Sequence, residues 1–161
     1  MSKSPLWMDL PWFGRGEDLA LALMRLTVGA FLVWGAWDNM VSAARMDEFE
    51  AFLAAHGFAA PAFLAPLSVW AQFVCGLALI VGLLTRWAGL ICAFNFVVAV
   101  IMVDGPNGIR AAFPATILAL LGLYFATRGS GRLSIDEILR RRNDTVQGGV
   151  GSRSKSPSED L

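Results

Sequence analysis

Four stretches of this chain are almost free of charge, and each is about as long as a helix must be to cross a bilayer. Residues 19–37 carry a single charge, Arg25. From Gly57 to Thr85 there is none, with the most apolar part at 67–84. Residues 87–103 and 111–127 are uncharged as well. The 161 residues are enough for one domain, yet 56% are hydrophobic and only 16% charged. A soluble domain carries about 25% charged residues, and one this small has too much surface to hide so many apolar side chains. The expected fold is therefore all-α: an integral membrane four-helix transmembrane bundle with short amphipathic surface helices. Lys plus Arg number 13 and Asp plus Glu number 13, a balance that gives no support to nucleic-acid binding, which wants a basic surface; no nucleic-acid partner is expected.

The expected plan is a leader over 1–18, a membrane domain over 19–142 and a tail over 143–161. The spans fall at about 19–40, 67–84, 87–103 and 111–127. The short Thr85–Arg86 break makes the second and third spans a tight antiparallel hairpin. The first block begins after Glu17 and Asp18 and is too long for a signal-peptide core, so it reads as a span. With four spans, Lys3, Arg15, Arg86, Arg128, Arg132, Arg140, Arg141, Arg142, Arg153 and Lys155 share one side, and Arg45 and Arg110 the other. Positive-inside reasoning puts both termini in the cytoplasm. Trp34, Trp37 and Trp70 then belong to the outer interface and Trp87 to the inner one, with Trp7, Trp12 and Phe13 as an interfacial anchor in the leader.

Outside the spans, Met46, Phe49, Phe52 and Leu53 share one helical face, with Asp47, Glu48 and Glu50 opposite. This spacing predicts an amphipathic outer helix over 46–55, stopped by Gly57 and Pro61. Ser134-Ile-Asp-Glu137 is a capping-box pattern that predicts a cytoplasmic helix over 135–142. The Gly/Ser-rich tail from Asn143 reads as disordered.

Lipid tails give helices no hydrophobic reason to associate, so the spans must meet through small residues. The expected seams are Ala22/Gly29/Ala36, Ser68/Gln72/Gly76, Cys92/Asn95/Ala99 and Ala115/Ala119/Gly122/Ala126. Arg25 and Asn39 fall on the small-residue face of the first span, and Gln72 and Asn95 on the seams of theirs. An ionisable group within a span is a functional candidate by default; for Arg25 the competing role is snorkelling to the nearby interface. Gln72 and Asn95 offer hydrogen bonds to a carbonyl-bearing apolar ligand, or simply to each other's helices. Asp38, with Trp34 beside it, marks an outer mouth or a solvated helix end. His56 alone excludes bis-His haem within the chain and reads as a polar residue at the surface of the outer loop. Cys75 and Cys92 form no Cys-x-x-Cys pair and no zinc spacing, and read as packing residues. No catalytic residue, metal ligand set or intrinsic cofactor is evident.

Three patterns together resemble the DoxX family of bacterial four-span inner-membrane proteins, over about residues 19–140. They are Arg25-Leu-x-x-Gly29-x-Phe31-Leu-x-x-Gly35, Gly76-Leu-x-Leu-x-x-Gly82-Leu-x-Thr85-Arg86, and Gly129-Ser-Gly131-Arg132-Leu-Ser134-Ile-Asp136. The chain departs from the family in having Gln72 where a glutamate is frequent, and Trp37–Asp38 where a lysine follows the first-span glycine. The resemblance implies membership of a membrane redox system, as an accessory or quinone-interacting subunit with a membrane or periplasmic redox partner. Arg25, Trp34, Asp38, Gln72 and Asn95 are then the expected contacts to a bound quinone. The alternative is a non-enzymatic scaffold recruiting a partner through the 46–55 and 135–142 helices. A small-solute carrier ranks last, since the seams hold too few polar groups for an ion path. Self-association into a homo-oligomer stays open.

Overall fold

A computed structural model describes residues 16–152. The leader and its anchor residues Trp7, Trp12 and Phe13 lie outside the described residues, as does the tail beyond Ser152. Every regular element described is helical. Helix α1 spans Glu17–Val41, α2 Ala43–Ala55, α3 Pro61–Val81, α4 Thr85–Ala99, α5 Ile109–Arg128 and α6 Ile135–Ser152. A π-helical turn, Val100–Asp104, and a 3-10 turn, Gly105–Asn107, extend α4 into one 23-residue rod. Among the described residues, four helices are thus long and apolar enough to cross a membrane: α1, α3, extended α4 and α5.

Local chemistry sets the boundaries. Pro61 occupies the first turn of α3, where its missing N–H costs nothing. The second span therefore begins earlier than the densest apolar run. Gly82 closes α3 in the left-handed region, φ +70°, the usual glycine stop. Leu84 is also left-handed, φ 50°. The break between the second and third spans is thus Gly82–Leu84, and Thr85 and Arg86 already belong to the first turn of α4. At the opposite end, the Ser42 hydroxyl accepts from the Arg45 amide at 3.4 Å at the start of α2, and Gly57, φ +78°, follows its end.

The bundle is built from two tightly packed antiparallel pairs, α1 with α3 and α4 with α5; α3 and α4 touch less extensively. Each pair crosses at two glycines. A Cβ on Gly29 would sit 2.6 Å from the Gly76 carbonyl oxygen, and one on Gly76 2.8 Å from that of Gly29. Gly89 and Gly122 repeat the arrangement, at 2.6 and 2.8 Å. Backbone-to-backbone contact of this kind is how spans associate where lipid gives no hydrophobic drive. The third-span seam accordingly runs through Gly89 and Ala93 toward α5. Asn95 and Ala99, also expected on the third-span seam, are half-buried; Asn95 turns to α3, where Ser68 donates to it.

Leu21, Val28, Leu32, Cys75, Leu79, Ala88, Cys92 and Phe125 form the core. Phe125 is fully enclosed. Trp34, Trp37, Trp70 and Trp87 are all exposed, pointing away from this core.

Two expectations about the surface helices need correction. On α2 only Leu53 is buried, while Phe52 is exposed and stacks with Phe49 and His56. Helix α6 does not stop at Arg142 but runs to Ser152, so the tail is helical over 143–152. Its glycines each cost about 1 kcal/mol, yet no proline interrupts the stretch, and Arg140 and Arg141 both pair with Glu137 in the first turns.

Candidate functional site

Two polar constellations are set into the apolar bundle, and they lie at different depths. The first is at the end where α1 begins, where the Gly82–Leu84 turn and the 129–134 loop meet it. Arg25, one turn beyond the fully buried Leu21, is itself 2% exposed. Its Nη2 donates to the Leu133 carbonyl at 2.6 Å, reaching across to the loop that follows α5. Gly82 makes this possible, since a Cβ there would collide with the guanidinium and come within 2.7 Å of Ser134 Cβ. Arg25 thus neither snorkels to solvent nor faces a cavity at mid-membrane; it anchors a loop. Its Nε and Nη1, and Thr85 Oγ1, have no hydrogen-bond partner.

The same loop fastens the rest of that end. Asp136 accepts from the Leu84 amide at 2.8 Å and the Thr85 amide at 3.1 Å. Because α4 has no side-chain cap of its own, Asp136 caps it from 51 residues away, with negative charge at the positive helix end. The Asp136 amide donates to the Gly82 carbonyl at 3.0 Å. Asp18 accepts from the Arg132 amide at 3.0 Å, and Arg128 pairs with Glu17. Ser134 accepts from the Glu137 amide at 3.2 Å, one half of the expected capping box. The Glu137 carboxylate turns instead to Arg140 and Arg141, which hold it down to about 2 from its ordinary 4.5. Together these bonds form a latch joining α1, the α3–α4 turn and the end of α5.

The second constellation lies midway along α3 and α4, in the looser seam between the two helix pairs. Ser68 Oγ donates to Asn95 Oδ1 at 2.9 Å, and Gln72 Nε2 donates to Ser68 Oγ at 3.2 Å. All three residues are half-buried. Gln72 and Asn95 border a gap of about 170 Å³ shared with Leu32, Ala71, Cys75, Ile91 and Cys92, none of it wide enough for a water molecule. Cys75 and Cys92 are free, buried thiols. Beside these two thiols, the chain offers amide and hydroxyl hydrogen bonds in an apolar setting.

The five expected contacts therefore separate. Gln72 and Asn95 come together through Ser68. Arg25 is about ten residues of helix from Gln72's level, measured by its contact with Gly82, or on the order of 15 Å. Trp34 and Asp38 are exposed on the outer surface of α1, away from both constellations. His56 bonds the Phe52 carbonyl at 2.8 Å and its ring lies 4.2 Å from that of Phe52, a local helix end. Among the described residues no group of three His, Cys, Asp or Glu is placed to hold a metal ion. Residue-by-residue reading missed the structural parts played by Gly82, Asp18 and Asp136. The signal was present in the Gly-x-Gly-Arg-x-Ser-x-Asp run and in a fourth helix that starts without a cap.

A family model described as DoxX matches residues 20–105, from the first turn of α1 to the 3-10 turn after α4. Comparisons with curated proteins and with solved structures give no match.

Proposed function

The chain belongs to the DoxX family and is a multi-pass membrane protein, and from that premise we propose that it is an accessory subunit of a membrane redox system. In this reading it lies in the bacterial inner membrane with both termini cytoplasmic, as its arginine distribution favours. It contributes a quinone contact, and a membrane or periplasmic partner supplies the electrons. The observation that carries this is the Ser68–Gln72–Asn95 cluster: amide hydrogen-bond donors at mid-span, half-exposed beside an apolar wall. The adjoining gap is too narrow to enclose a ring, so the quinone headgroup docks on the lipid-facing flank of the α3–α4 seam. Gln72 and Asn95 then donate to its carbonyl oxygens. Arg25, Trp34 and Asp38 lie outside this contact.

The test is mass spectrometry of the solvent extract of protein purified in mild detergent. One quinone per chain, lost in Gln72→Leu while the variant stays folded, is expected. A wild-type chain that carries no quinone and binds none when it is added overturns the reading.

A second reading, a scaffold that holds a partner, is favoured by α6. Ile138 and Leu139 are exposed there, on a helix that does not pack extensively on the spans. A partner that co-purifies with the full chain, but not after removal of α6, with no quinone present, would establish it.

A further inference from the structure

At the end of the bundle where α1 begins, a cleft of about 840 Å³ opens between the first turn of α4, the 129–134 loop and α6. Five arginines line it, Arg86, Arg128, Arg132, Arg140 and Arg141, against two carboxylates, Asp136 and Glu137. Both carboxylates are committed: Asp136 to the α4 amides, Glu137 to Arg140 and Arg141. Arg128 and Arg132 are drawn to Glu17 and Asp18 on α1. Arg86 is the exception, since no carboxylate among the described residues pairs with it. Its side chain passes over Gly129, where a Cβ would lie 3.2 Å from Arg86 Nε. Gly129, at φ +82°, gives it room. The result is a guanidinium fork that no carboxylate among the described residues occupies, in a cleft rimmed by arginines, a geometry suited to a phosphate.

What adjoins the cleft narrows the source of that phosphate. Trp87, also in its lining, is exposed and begins a stripe continued by Leu90, Ile91 and Phe94, all exposed. These residues fall at i, i+3, i+4 and i+7, one continuous face of a membrane-spanning helix. A free anion would have no use for such a stripe; a lipid places its acyl chains along it. Basic pockets between spans at the membrane surface are recognised headgroup sites.

We propose that this cleft is a binding site for one anionic phospholipid, its phosphate held by Arg86 within the arginine rim and its chains laid along Trp87, Leu90, Ile91 and Phe94. The phosphate site is separate from the Ser68–Gln72–Asn95 seam, which shares only Ile91 with the acyl stripe, and it stands whether or not that seam holds a quinone. The lipid braces the latch from outside, bridging the α3–α4 turn to the loop after α5.

Native mass spectrometry of the delipidated full chain in detergent tests this, with phosphatidylglycerol and phosphatidylcholine of identical acyl chains, and with inorganic phosphate. Phosphatidylglycerol is expected to add one equivalent in preference to phosphatidylcholine. Arg86→Gln should weaken that preference about fivefold, the worth of one arginine near an anionic surface. Arg110→Gln, at the opposite end, should leave it unchanged. Equal binding of the two lipids, or a preference that survives in Arg86→Gln, overturns the site. Inorganic phosphate that displaces phosphatidylglycerol and itself depends on Arg86 overturns the lipid assignment in favour of a free anion. Should Arg86→Gln fail to fold, the wild-type chain decides: the preference must collapse at high ammonium acetate concentration, where charges are screened, and its persistence refutes the proposal.

Discussion

Asp136→Ala removes the cap of α4 without touching the membrane-facing part of any span. The carboxylate accepts two backbone amides, Leu84 at 2.8 Å in an exposed position and Thr85 at 3.1 Å in a partly buried one. Hydrogen bonds to a charged group contribute about 1.5–3 kcal/mol each when protected, and loss of a helix cap costs about 0.5–2 kcal/mol. Discounting the exposed bond gives an expected destabilisation of about 2–3 kcal/mol. Asp136→Asn keeps one acceptor oxygen but not the charge, and should cost about half as much. The Asp136 amide bond to the Gly82 carbonyl survives both changes, so α6 keeps its place; the loss falls on the cap and on the charge that Asp136 sets near buried Arg25. The assay is equilibrium unfolding in mixed dodecylmaltoside–SDS micelles, followed by tryptophan fluorescence. Asp144→Ala, an exposed acidic residue on α6, is the control and should stay within about 0.5 kcal/mol of wild type. If Asp136→Ala also stays within that margin, α4 does not depend on the remote cap. If Asp136→Asn is as damaging as Asp136→Ala, charge alone matters and the geometric reasoning fails.

Three further outcomes follow from the same structure. Gly29→Ala forces a Cβ against the Gly76 carbonyl and Ile80 and should cost about 1–3 kcal/mol. Gly35→Ala, with nothing within 4 Å, should be neutral or gain up to about 1 kcal/mol of helix propensity; equal effects in the same unfolding assay would deny the glycine crossing. Glu137 has a carboxyl lowered in the fold to about 2 from 4.5, by Arg140 first and then Arg141. Its contribution to α6 is complete above about 4.5 and disappears as pH falls toward 2. Hydrogen exchange of α6 amides, corrected for intrinsic rates, should therefore lose protection in that window, and Glu137→Gln should remove the step. Arg25→Met should leave the span buried, since a guanidinium with two unpartnered nitrogens is replaced by an apolar chain of similar length. The 129–134 loop should then exchange faster, and unchanged exchange there would deny the latch.

The architecture was legible because it is a matter of length and charge. Spans of uncharged residues, arginines collected on alternate connections and exposed tryptophans each follow from the bilayer as solvent, with no need to know which helix touches which. Pairing was only half legible. Gly29, Gly76 and Gly122 stood out as small residues, but choosing Gly89 and Ala93 over Asn95 and Ala99 for the third span required knowing that α4 packs on α5 more closely than on α3. Arg25 shows the limit most clearly. Its place on the small-residue face was readable, its burial rather than snorkelling was not, and its partner, a backbone carbonyl 108 residues away, carries no side-chain signature. Asp136 was hidden for a similar reason: it bonds two amides, and any residue has an amide. The Ser-x-x-Glu pattern located the start of α6 but not its end, because a capping box marks only where a helix begins.

The division of labour between the two constellations is open to one direct comparison: the quinone retained per chain by Arg25→Met and by Gln72→Leu, both shown to be folded. If the α3–α4 seam contacts the quinone and Arg25 only fastens the loop, Gln72→Leu loses the quinone and Arg25→Met keeps it. Loss in Arg25→Met with retention in Gln72→Leu would place the ligand at the latch and contradict the assignment.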